Sequence, residues 1–191
     1  MPSRLLNGPT PVLLGVLVAS ALSLAACQGA ASARCRSDTE LGSDRTPVQL
    51  SLDTVQCVRR GNWIQASLHF GVAKTFSLFD AQREERMRQA ARQGWPGPML
   101  PALIIREQLD PGQVRRLQEE IRSLSENPVR HRQLCNLLRR LGPPTYPPDY
   151  RVDQRWEVSF PPQATSTKPS EAAKATWREI LSRQVACGPG V

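Results

Sequence analysis

The chain has 191 residues, and 25 lysine plus arginine residues against 17 aspartate plus glutamate residues give it a formal net charge of +8. This length suits one folded domain, which can bury about 68–70% of its unfolded surface. The charges of both signs are scattered along the chain, and no nucleic-acid-binding motif accompanies them. We therefore expect no nucleic-acid partner.

The first 26 residues have the pattern of an export signal. One positive charge, Arg4, precedes an uncharged apolar run from Val12 to Leu24, and small residues follow it. This order of charge, apolar core and small residues is typical of a signal peptide. The run is shorter than the roughly 20 apolar residues that a transmembrane helix needs. Residues 1–26 are therefore predicted to be a signal peptide.

The end of this segment, Leu24-Ala25-Ala26-Cys27, resembles the lipobox of bacterial lipoproteins. The resemblance implies that Cys27 is acylated, starts the mature chain and anchors it to a bacterial membrane, facing the periplasm or the cell exterior. A second cleavage pattern ends at Ala33 and would release a soluble periplasmic or secreted protein. We favour the lipobox because Cys27 directly abuts the apolar run. Residues 27–46 are mostly polar and are predicted to form a lipidated, flexible tether.

Four further cysteines remain for the folded part of the chain: Cys35, Cys57, Cys135 and Cys187. In an oxidising compartment they can form two disulfides, with three possible connectivities. We prefer Cys35 with Cys57 and Cys135 with Cys187, because the first ties the domain start to a strand and the second ties the end to a helix. No two cysteines are spaced as CxxC, so neither a metal site nor a redox cofactor site is predicted.

The domain proper is predicted to begin at Pro47 and to run to residue 191, starting with a β-hairpin. Apolar and polar residues alternate from Val48, with a bulge near Asp53, and alternate again from Ile64 to Val72. Gly61 lies in the turn between these runs and can adopt a positive φ. This pattern is typical of two antiparallel strands.

Helical patterns dominate the middle of the chain. Asp80 can cap a helix that runs to about Gln93, whereas the short run 102–105 suits a buried strand or an extended connection. Asp110-Pro111-Gly112-Gln113 has the residues of a helix start, and this helix is predicted to end near Ser125. Asn127-Pro128 starts another helix, which Gly142 ends.

A third strand over 152–160 and a last helix after Ser170 complete the predicted elements. Together they predict an α+β fold: a small antiparallel sheet, made of the hairpin and the C-terminal strand, packed on one face by about four helices.

The sequence offers few candidates for chemistry. His69 or His131 could serve a cysteine or serine nucleophile in a small envelope hydrolase, but no GxSxG, HExxH or Walker motif accompanies them. Trp95 lies in a Gly/Pro-rich loop and is a candidate partner contact. We therefore expect a non-enzymatic binding or structural role in the cell envelope, with an envelope protein or anionic polymer as partner. The hydrolase is the alternative, and the oligomeric state is left open.

Overall fold

The computed structural model describes residues 33–82, 97–162 and 168–188. Six α-helices lie in these ranges: α1 (Pro47–Arg59), α2 (Trp63–Gln82), α3 (Leu100–Gln108), α4 (Pro111–Glu126), α5 (Pro128–Leu141) and α6 (Glu171–Glu179). Short 3-10 turns span Asp38–Glu40 and Gly97–Met99, and a π-helical turn, Ile180–Gln184, continues α6. One antiparallel pair joins β1 (Arg151–Val152) to β2 (Val158–Ser159), with Arg151 opposite Ser159. The α+β class is confirmed, with helices in the large majority.

The predicted hairpin over 48–72 is wrong, because both of its strands are helices. Thr46 caps α1 through its side-chain oxygen, which accepts a hydrogen bond from the Gln49 amide at 3.3 Å. The Gln49 side chain accepts one in return from the Thr46 amide at 2.9 Å. Pro47 occupies the first helical position, where its missing N–H and fixed φ carry no penalty. These local interactions start a helix in spite of the alternating apolar residues.

Helix α2 is the centre of the molecule. It contacts α1, α3, α4, α5 and α6, and most of its side chains are buried. Neighbours surround most of this helix, and only Ile64, Lys74 and Gln82 are exposed, so its sequence lacks the polar stripe and the 3.6-residue period of a surface helix. At Gly71 an added Cβ would lie 2.9 Å from a terminal methyl of Leu134 on α5. The Leu134 side chain can pack against the α2 backbone because this position has no side chain.

Two further predictions for the middle of the chain are wrong. Asp80 does not cap a new helix but lies near the end of α2, where it is buried and accepts a hydrogen bond from the Tyr150 hydroxyl at 3.0 Å. The run 102–105 belongs to α3 and is not a strand. The rest of the predicted helix to Gln93 lies outside the described residues.

The three helices predicted from the capping residues Asp110, Asn127 and Ser170 are confirmed. Asp110 accepts hydrogen bonds from the amides of Gly112 and Gln113, both at 2.9 Å, and starts α4. Asn127 ends α4 and caps α5 through the amides of Val129 and Arg130. Ser170 caps α6. A side-chain oxygen placed at a helix start satisfies amides that the helix itself leaves unpaired.

The predicted strand over 152–160 is instead a short ribbon that reverses direction. The Asp153 carboxylate accepts hydrogen bonds from the amides of Arg155 at 2.8 Å and Glu157 at 2.9 Å, and Trp156 takes a positive φ of 63°. These contacts turn the chain and separate β1 from β2. The sheet therefore lies beside the main core, which is built between helices and not on a sheet face.

Within the described ranges, the core consists of two apolar clusters. The larger includes an aromatic group in which the Trp177 ring lies 5.6 Å from Phe76 and 5.9 Å from Phe79, both edge-on. The smaller lies between the first four helices and includes Val55, Cys57 and Leu117. None of the described helices is both long and apolar enough to cross a membrane.

The described part of the segment assigned to the tether, residues 33–46, packs against the helices. Leu41 belongs to the larger core cluster, and Arg36, Arg45 and Thr46 are buried. The packed part of the chain therefore begins by residue 33, ahead of the predicted boundary at Pro47.

Candidate functional site

Both predicted disulfides are present. Cys35 bonds to Cys57 with an S–S distance of 2.08 Å, and Cys135 bonds to Cys187 at 2.06 Å. The first joins the N-terminal segment to α1, and the second joins the segment after α6 to α5. The two ends of the described chain are thus covalently tied to helices that pack on α2.

His69 is fully buried on α2, beside the first disulfide. Its Nε2 lies 3.1 Å from the carbonyl oxygen of Arg36, and its Nδ1 lies 3.8 Å from the Cys57 sulfur. The Gln65 side-chain nitrogen also lies 3.1 Å from this Nε2. Because the Arg36 carbonyl can only accept, we assign the ring proton to Nε2, and the Gln65 amide then donates to Asp38 and not to the ring. Burial lowers the pKa of His69 to about 4, against the raising effects of the Arg36 carbonyl and the Asp38 charge. The ring is therefore neutral at pH 7 and fastens the segment that carries Cys35.

His131 has the corresponding position beside the second disulfide. Its Nε2 lies 2.9 Å from the carbonyl oxygen of Val185 and 3.9 Å from the Cys135 sulfur. It thus fastens the segment that carries Cys187. The sulfur nearest each histidine is already in a disulfide, and within the described ranges neither ring hydrogen-bonds to a serine hydroxyl. This geometry lends no support to a histidine-activated nucleophile.

The buried state of His69 predicts a pH dependence of stability. An unfolded histidine titrates near pH 6.5, so below that pH the unfolded chain takes up a proton that the native ring refuses. Neutral His69 contributes about 3 kcal/mol to the free energy of unfolding above pH 6.5. This contribution is lost as the pH falls from 6.5 towards 4. We expect His69→Gln to flatten this part of the stability profile, as measured by urea unfolding at pH 4.5, 5.5 and 7.5. His131→Gln is the matched control, and a slope unchanged by His69→Gln would contradict the assignment.

An ion cluster fastens the N-terminal segment to α1. The buried Asp53 carboxylate lies 3.0 Å from guanidinium nitrogens of both Arg36 and Arg45. It also accepts a hydrogen bond from the backbone amide of Arg34 at 2.8 Å. Burial raises the pKa of Asp53, while the neighbouring guanidinium groups and the Arg34 amide oppose that change. Burial likewise lowers the pKa of Arg45.

A groove of about 600 Å³ lies between the Asp38–Glu40 turn and α5. Its α5 wall consists of residues three or four positions apart, which lie on one helix face: Val129, Arg132, Gln133, Asn136, Leu137 and Arg140. Asp38 and Thr39 form the opposite wall. We refer to this feature as the α5 groove.

Charge in the α5 groove is positive. Helix α5 contains four arginines and no acidic residue. The carboxylate of Asp38 is held by the side-chain amides of Gln65 at 2.7 Å and Gln133 at 3.1 Å. Arg140 donates a hydrogen bond to the Asp38 backbone carbonyl, which is neutral and leaves the charge of the guanidinium uncompensated. Val129, at the start of the same face, is 66% exposed.

The candidate residues from the sequence are not assembled into one site. Cys27 and Trp95 lie outside the described residues, while His69 and His131 lie beside different disulfides. Sequence reasoning missed the α5 groove. Its signal was available in the composition of α5, where four arginines and an exposed valine occur without a single acidic residue.

Within the described ranges, no cluster of three histidine, cysteine or acidic side chains is suited to hold a metal ion. Comparisons of the chain with protein-family models, curated proteins and solved structures gave no match.

Proposed function

We propose that this chain is an exported lipoprotein, anchored at Cys27, with a non-enzymatic binding role in the cell envelope. The observation that carries the proposal is a domain closed by two disulfides whose packed part begins by residue 33, shortly after the lipobox-like cysteine. Disulfides persist in oxidising compartments outside the cytosol. Export and a lipid anchor are both consistent with this arrangement.

The environment of Arg34 favours cleavage before Cys27 over cleavage after Ala33. The Arg34 nitrogen donates to Asp53 as a neutral peptide amide. Cleavage after Ala33 would turn it into an α-amino group, which is largely charged near neutral pH. A third positive group would then lie beside Arg36 and Arg45, around the Asp53 carboxylate that they already share. An intact Ala33–Arg34 bond avoids that repulsion.

Two observations support binding over hydrolysis. Each histidine donates to a backbone carbonyl and lies beside an oxidised cysteine, so its chemistry is that of a structural hydrogen bond. The α5 groove, in contrast, combines exposed apolar surface with arginines whose charge is not balanced locally. Such a surface is suited to an anionic partner.

Processing of the full chain tests this proposal. The chain is expressed in a bacterium that processes lipoproteins and is fed labelled palmitate, and the mature protein is analysed by intact mass. We expect a mass that corresponds to residues 27–191 plus acyl chains, and we expect Cys27→Ser to abolish labelling. Ala33→Leu, which removes the second cleavage pattern, should leave the mass otherwise unchanged. An unacylated product that starts at Arg34 would refute the anchor.

A further inference from the structure

We propose that the α5 groove binds the anionic phospholipid head groups of the membrane that holds the anchor. This inference rests on the proposed lipidation of Cys27, which sets the position of the domain relative to the bilayer. Three features of the chain support it: the short reach of the anchor, the charge of the groove and its exposed apolar rim.

The reach of the anchor follows from the sequence. Cys27 and Ala33 are six residues apart, and a chain of that length spans at most about 20 Å. A domain of this size has a radius of gyration of about 15 Å, so the anchor is shorter than the domain is wide. The membrane therefore faces the side of the domain that carries its N-terminal segment. Asp38, on one wall of the α5 groove, follows Ala33 by only five residues.

The charges of the groove match a phosphodiester. Arg132 is exposed and has no ion-pair partner among the described residues. Arg140 bonds only to a neutral carbonyl there. The Asp38 carboxylate on the opposite wall is held by the side-chain amides of Gln65 and Gln133, so the groove has two guanidinium groups against one carboxylate. Guanidinium groups bind phosphate oxygens through paired N–H donors. The two arginines are eight residues apart, about 12 Å along the helix axis, which gives each of them room for a separate head group.

The exposed Val129 on the same face favours a lipid surface over a free anion. Val129 is 66% exposed, whereas Leu137 lines the floor of the groove and belongs to the buried core. Apolar side chains on a basic helix face contact the boundary between head groups and acyl chains, while the basic residues contact the phosphates. An acidic protein would match the charge alone, but the short anchor places this face next to lipid.

Photo-crosslinking in nanodiscs tests the inference. The mature acylated protein is reconstituted with phosphatidylglycerol that carries a diazirine in its head group, or with the corresponding phosphatidylcholine probe, and crosslinked peptides are mapped by mass spectrometry. With phosphatidylglycerol we expect crosslinks concentrated on residues 128–141, at least fivefold above the phosphatidylcholine probe. Arg132→Gln with Arg140→Gln should remove this excess, and 0.5 M salt should reduce it.

The matched control is Arg106→Gln with Arg178→Gln, which removes the same charge from exposed positions on α3 and α6. It should keep the crosslinks, and all variants should keep the wild-type melting temperature. Crosslinks that spread evenly or survive the α5 double variant would overturn the inference. Binding of polyglutamate that depends on Arg132 and Arg140, without lipid crosslinks, would assign the groove to an acidic protein instead. Intact mass, measured first, separates the outcomes: an unacylated protein contradicts the proposed function, whereas an acylated protein without these crosslinks contradicts only the groove.

Discussion

Replacement of Cys135 and Cys187 by serine should lower the free energy of unfolding by about 4 kcal/mol. The two cysteines are 52 residues apart, and a crosslink that closes such a loop removes a large share of the unfolded chain's entropy. Urea unfolding followed by circular dichroism at pH 7.5 measures the loss. We expect the midpoint to shift to lower urea, with a native spectrum retained in the absence of denaturant.

The other disulfide provides the comparison. Cys35 and Cys57 are 22 residues apart, so their replacement by serine should lower the free energy of unfolding by about 3 kcal/mol, somewhat less than the longer loop. Removal of both crosslinks approaches the total stability of a typical domain, about 5–15 kcal/mol. The quadruple variant should therefore be largely unfolded at 37 °C. A quadruple variant that melts within a few degrees of the wild type would contradict this account.

The helices that were predicted correctly are those whose first residues include a capping side chain. Asp110-Pro111 and Asn127-Pro128 place an acceptor side chain before a proline, and α4 and α5 begin there. Thr46-Pro47, followed by Gln49, is the same kind of signal at the start of α1. This helix start was not predicted, because the alternating apolar residues after it indicated a strand. A capping box is the stronger predictor here, since it satisfies specific amides whatever the pattern that follows.

Helix α2 could not be identified from periodicity. Its neighbours bury most of it, and apart from α1 these neighbours are helices that come later in the chain, α3 to α6. The polar His69 is also buried in this helix, where it hydrogen-bonds to the carbonyl of Arg36, 33 residues away. The disulfide pairing was within reach of the sequence because only three connectivities exist. The arginine excess of α5 is visible in the sequence, but the α5 groove could not be predicted from it, because the second wall, at Asp38, lies in the segment predicted to be a tether.

The ion cluster around Asp53 explains why residues 33–46 are packed. If these residues moved away from α1, the buried Arg36 and Arg45 guanidinium groups would lose their counter-charge, and the Arg34 amide would lose its acceptor. Burial raises the pKa of Asp53 and lowers that of Arg45, so each charge is disfavoured by its surroundings and tolerated because of its partners. A buried ion cluster of this kind adds little net stability as a whole, but removal of the carboxylate that two guanidinium groups share is strongly destabilising.

Asp53→Asn should therefore lower the free energy of unfolding by about 3–5 kcal/mol. The amide keeps the shape of the carboxylate, but it removes the negative charge that the buried Arg36 and Arg45 share. Arg45→Met should cost clearly less, because Asp53 then retains Arg36 and the Arg34 amide. Glu171→Gln, which removes the exposed pair with Lys174, should change stability by no more than about 0.5 kcal/mol. Urea unfolding of the three variants gives the order directly. If Asp53→Asn were no worse than Arg45→Met, the carboxylate would not be the counter-charge that holds residues 33–46, and the wall of the α5 groove at Asp38 would need another support.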